Sequence, residues 1–87
     1  MKHKHTIFGV HITNRIKKAS EVQKVLSRFG CNIKTRLGMH EVHEQACAPN
    51  GLVILEVVGE DKTIKEFEKA LSAIEGVQAK KMVFTHV

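Results

Sequence analysis

The chain has no tryptophan and no tyrosine, and only four phenylalanines among its 87 residues. Its core must therefore be mainly aliphatic. Sheets that bind RNA stack bases on exposed aromatic rings, and this sequence has little to build such a platform from. Two cysteines, Cys31 and Cys47, argue for reduced thiols and not a disulfide framework. Long apolar runs are missing too. The longest, Leu52–Val58, is interrupted by Glu56 and falls far short of the ~20 residues a membrane helix needs. The N-terminus lacks the apolar region of a signal peptide, so no membrane association and a cytoplasmic location are expected. Neither a glycine-rich phosphate loop nor a helix-turn-helix pattern is visible.

Acidic residues are scarce in the first part of the chain. Residues 1–38 hold nine Lys/Arg and a single acid, Glu21, whereas residues 39–87 hold five Lys and eight acids, and the net charge is +5. This asymmetry fits an acidic partner, nucleic acid, two copies pairing through complementary faces, or a solvated helix face.

What is present is periodic. Thr6–Thr13 alternates Phe8, Val10 and Ile12 against Ile7, Gly9 and His11, a strand pattern. Ala19, Val22, Val25, Leu26 and Phe29 fall within roughly a 120° arc of a helix, with Asn14 as N-cap and Gly30 as C′ glycine. Ile33, Thr35, Leu37 and Met39 alternate as a second strand. Pro49-Asn50-Gly51 reads as a turn, and Leu52–Val58 as a third strand. Asp61 caps a second helix bearing Ile64, Phe67, Leu71 and Ile74, which Gly76 ends. Val77–Phe84 is a fourth strand, and its apolar phase slips between Ala79 and Met82, which predicts a bulge near Lys80-Lys81.

The two halves repeat. Phe8, Val10, Ile12, Ala19, Val22, Leu26 and Phe29 each precede Val53, Leu55, Val57, Ile64, Phe67, Leu71 and Ile74 by 45 residues. Two βαβ halves describe an α+β, ferredoxin-like βαββαβ domain over residues 1–87. Its four-stranded antiparallel sheet would run in the order 4-1-3-2, with two helices on one face. The other face would be uncovered, displaying Ile7, Gly9 and His11 beside Leu52, Ile54, Glu56 and Val58. Burying those aliphatics at ~25 cal/mol per Å2 is worth several kcal/mol, so a second copy is expected to cover them, in a dimer or tetramer. Arg36 and Glu56 are expected on that face as an ion pair, and Cys31 packed behind the first helix.

The topology gathers the ends of the first two strands beside the start of the third. There His40, His43 and Cys47, with His11 nearby, form an H-x2-H-x3-C cluster on a hairpin. Imidazole and thiolate suit zinc or nickel. Equally, these residues fit a polar strand end with no ligand. A third reading makes Cys47 a nucleophile activated by His40 or His43, but no orienting acid or oxyanion hole accompanies it, so no catalytic residue is assigned.

With this fold and hairpin, the chain resembles a small family of proposed iron-only hydrogenase system regulators. The match runs from Ile7 to Phe84. Its most specific part is Thr35-Arg36-Leu37-Gly38 with His40-Glu41, then Gly51-Leu52-Val53-Ile54. That family is similar to the ACT domains of amino-acid-responsive regulators and to the metal-binding domain of nickel-responsive repressors. The resemblance implies a non-enzymatic, oligomeric regulatory or sensor domain that binds a small effector or a transition metal and is linked to transcription of a hydrogenase system. The first β–α turn reads Thr13-Asn14-Arg15-Ile16 where ACT domains carry D-x-P-G. With no ribbon-helix-helix segment, direct DNA binding is not expected, and transcriptional control would run through a partner regulatory protein. The competing classes are a small Cys/His-dependent enzyme and a basic nucleic-acid-binding module.

Overall fold

The period-two segments become four strands: β1 (His3–Ile12), β2 (Ile33–Val42), β3 (Cys47–Val57) and β4 (Val77–His86). The helical periods become α1 (Arg15–Arg28) and α2 (Asp61–Ser72), and a short 3-10 turn, η1 (Gly30–Asn32), follows α1. The computed structural model describes residues 3–13, 15–42 and 47–86, with side chains for all of these except 3, 15–17, 19, 39–42, 47–50 and 86. The strands are antiparallel throughout, in the order β2-β3-β1-β4, which is the expected 4-1-3-2 from the other edge. This is a ferredoxin-like α+β fold.

The sheet's helix-covered face carries Phe8, Val10 and Ile12 of β1, with Leu55 and Val57 of β3. They pack against Val22, Leu26 and Phe29 from the first helical segment and Ile64, Phe67 and Leu71 from α2. All of these residues belong to the 45-residue repeat, so each half contributes one strand and one helix to a shared core. Phe67 sits at its centre, fully buried, with the rings of Phe8 and Phe29 edge-on at 5.3 and 5.2 Å. That geometry favours the ring quadrupoles.

β4 pairs with β1 in unbroken register from Val77↔Ile12 to His86↔His3, so no bulge interrupts Lys80-Lys81. The apolar phase slips for another reason. Lys81 takes a helix-side position opposite Phe8 and reaches Glu68 of α2 at 3.0 Å, while Met82 and Phe84 stand on the open face. Pro49-Asn50-Gly51 is strand and not turn, since β3 already starts at Cys47. The pairing with β1 stops at Gly51, and β2 and β3 slip register between His40 and Val42. Pro49, which has no N–H, therefore falls in an irregular stretch bordered on one side only, where proline costs least.

Glu60, not Asp61, holds the N-cap position of α2, and Asp61 is its first residue. Gly30 opens η1 and is not a left-handed cap. The left-handed glycines are Gly59 (φ 128°) and Gly76 (φ 85°). Cys31 is exposed, because η1 has no buried residue. Arg36 lies in the row of Leu55 and Phe8, on the helix side, and its Nη2 donates to Gln23 Oε1 of α1 at 3.2 Å, so it does not pair with Glu56. The expected N-cap Asn14 lies outside the described residues.

Candidate functional site

Strand register gives the open face four columns. Across it run the rows Thr35–Glu56–Ile7–Met82, Leu37–Ile54–Gly9–Lys80 and Met39–Leu52–His11–Gln78. Ile7 and Ile54 are half-buried at the centre. Leu37, Met82 and Phe84 are well exposed around them, and Leu52 and Val58 lie at the margin. The expected aliphatic patch is present, and β4 enlarges it.

One polar pair sits within the patch. His5 Nδ1 lies 2.8 Å from Glu56 Oε2, with the carboxylate side chain only 17% exposed. The hydrogen bond from His5, aided by the Lys34 charge, holds the Glu56 carboxyl below its ordinary value of 4.5 against the opposing effect of desolvation. Sequence reasoning missed this pair by assigning Glu56 to Arg36. The signal was the register itself: once Ile7 faces Glu56, His5 is its diagonal neighbour on the same face.

The hairpin end is built by the same register. His11 stands across from Leu52 and Gln78 and is half-buried on the open face. His40 is in register with Gly51 and, across β3, with Ile12, the alternate register from that of His11 and Leu52, and Cys47 stands across from Val42 further out. His43 lies outside the described residues. Sequence topology thus brings His11, His40 and Cys47 to one end of the sheet, His11 separated from His40 by a strand. Among the described residues, no group of three His, Cys, Asp or Glu side chains is placed to hold one ion. The Thr13 N–H donates to Gly76 O at 2.8 Å, which ties the start of the β1–α1 connection to the turn before β4.

A shallow concavity runs beside Lys62, Lys65, Glu66, Glu68, Lys69 and Ser72. All six belong to α2, and the concavity lies away from the hairpin. No helix among the described residues is long and apolar enough to cross a membrane.

No protein-family model matches the chain, and no curated protein does. Solved structures do. An uncharacterized protein from Thermotoga maritima is 24% identical, with a TM-score of 0.80, covering 97% of this chain and 99% of that one. A nitrogen regulatory PII-like protein from Thiomonas intermedia, bound to ADP, AMP and bicarbonate, has a TM-score of 0.58 at 9% identity, covering 99% of this chain and 93% of that one. A candidate PII-like signalling protein from Thermus thermophilus has a TM-score of 0.58 at 11% identity, covering 99% and 91%. At these identities the likeness shows the fold.

Proposed function

We propose that this chain is a non-enzymatic regulatory domain that works as an oligomer. A second copy closes the open sheet face, and a small effector or a transition metal is held at the hairpin end, near His11, His40, His43 and Cys47. The observation that carries this reading is the apolar centre of the open face. Ile7 and Ile54, on the two central strands, are ringed by exposed Leu37, Met82 and Phe84. A contiguous patch of this kind costs free energy in water and favours a partner surface. The small-effector part draws support from the Thiomonas PII-like protein, whose structure holds nucleotides and bicarbonate on the same fold. The link to hydrogenase regulation rests on the sequence resemblance around Thr35–Glu41 and Gly51–Ile54. The address is the cytoplasm, and a partner protein would carry any signal to DNA.

The test is a calorimetric titration of the purified chain with ADP, AMP, bicarbonate, zinc and nickel, each alone. Saturable stoichiometric binding of at least one, without turnover of the nucleotides, is expected. No binding of any of the five would overturn the sensor reading.

A further inference from the structure

β4 is an edge strand, and three consecutive residues in its outer half are exposed and apolar: Met82 at 58%, Val83 at 50% and Phe84 at 56%. They do not share a face. Met82 is opposite Ile7 and stands with Phe84 on the open side, while Val83 is opposite Thr6 on the helix side. A partner laid on the open face reaches Met82 and Phe84 but leaves Val83 in water. Only a partner approaching the edge, in the plane of the sheet, touches all three. The edge also lacks common protections: its register with β1 is continuous, so no bulge turns it away, and it contains no proline. Its lysines, Lys80 and Lys81, lie to one side of the apolar triplet, and Lys81 is engaged by Glu68.

We propose that β4 pairs edge to edge with β4 of a second copy, antiparallel, about a twofold axis at Val83, joining two four-stranded sheets into one of eight strands. The polarity of Lys81-Met82-Val83-Phe84-Thr85 is palindromic about Val83, and an isologous contact demands that self-complementarity. With the axis there, Val83 meets the partner's Val83, and Met82 meets the partner's Phe84, a thioether against a ring. An axis through Lys80 or Lys81 would set a lysine against its own copy, which is repulsive. An axis through Met82 would set Val83 against the partner's Lys81 and Phe84 against the partner's Lys80. A foreign strand has no reason to match a palindrome, so the occupant is a second copy.

This contact extends the oligomeric reading above but is separate from closure of the open face, since Ile7 and Ile54 take no part in it. Either contact alone gives a dimer, and the two together give a tetramer. Sedimentation velocity decides between them. Val83→Lys and Val83→Asp each place like charges face to face at the axis, and each should lower the assembly by one step, with thermal melts showing that the fold is kept. Mixing the two variants in equal amounts should restore the wild-type mass, because unlike charges then meet. Ile54→Asp should lower the assembly by its own separate step. Wild-type mass for both position-83 variants, or failure of their mixture to reassociate, would overturn the edge contact and leave the open-face reading standing. Loss of assembly in the position-83 variants with none in Ile54→Asp would do the reverse.

Discussion

Asn32 and Val58 bond each other twice. The Val58 N–H donates to Asn32 O at 2.7 Å, and Asn32 Nδ2 donates to Val58 O at 2.9 Å. This clamp joins the turn after α1 to the exit of β3. It is closed off by Gly59, whose φ of 128° suits glycine and where an added Cβ would lie 2.5 Å from Asn32 Nδ2. Asn32→Ala should cost about 1 kcal/mol, the usual net worth of such a bond. Gly59→Ala should cost more than about 1 kcal/mol from backbone strain and collision together. The double variant should lose less than the sum, because Asn32→Ala removes the obstacle. Urea unfolding of the four proteins checks this, and strict additivity would mean that the collision is not felt.

Phe67 should be the costliest single truncation. It is fully buried between two edge-on rings, so Phe67→Ala should destabilise by roughly 3–5 kcal/mol. Unchanged melting would mean that the face of α2 turned to the sheet is wrongly assigned.

Among the described residues, two carboxylates have native pKa values held below their ordinary ones. Glu56 is held below its ordinary value of 4.5, first by the His5 hydrogen bond, and Asp61 below its ordinary 3.8, first by the Lys4 hydrogen bond. A carboxyl with a lowered native pKa binds fewer protons folded than unfolded through this window, so stability rises with pH there. Its contribution is full above the ordinary values and is lost as pH falls through the native ones. Unfolding followed from neutral pH downward should show a declining limb below pH 4.5, shallower in Glu56→Gln and in Asp61→Asn. Equal limbs in all three proteins would contradict this.

If the hairpin cluster takes a metal, binding needs neutral imidazole and thiolate. Affinity for zinc, nickel or cobalt should then fall as pH drops below ~6.5. Cys47→Ser should weaken uptake strongly. Cys31→Ser should not, because Cys31 is exposed on η1, far along the sheet from the hairpin. Competitive titration reads both effects. Equal affinities for the two serine variants, or no stoichiometric uptake at neutral pH, would make His40, His43 and Cys47 an ordinary polar strand end.

The core and topology were legible because Phe8, Val10 and Ile12 alternate and Ile64, Phe67 and Leu71 recur at helical spacing. A 45-residue repeat cannot bury both patterns without pairing the halves. Face assignments failed where the sequence offered two explanations for one pattern. The phase slip around Lys80-Lys81 fits a bulge or a strand whose helix-side position is filled by a long side chain reaching out to a carboxylate, and Glu68, thirteen residues away, decides it. Arg36 was misplaced because β2 and β3 slip register between Ile33 and Thr35, and a one-residue slip exchanges the faces. The Pro49-Asn50-Gly51 signal misled because proline is tolerated in a strand where one side is unpaired. The candidate hairpin site was legible only as a collection of ligand-type residues at one end of the sheet, since their distances depend on how far the hairpin continues beyond Gly51.

Closure of the open sheet face by another copy of the chain is tested most directly by a native mass spectrum of protein purified without a metal-affinity column, which reports stoichiometry and retained ligand in one reading. The wild type at micromolar concentration should appear as a dimer or tetramer, and Ile54→Asp, which places a charge at the centre of that face, should shift it to a smaller species. A wild type that is monomeric under these conditions would mean that no second copy covers the open face.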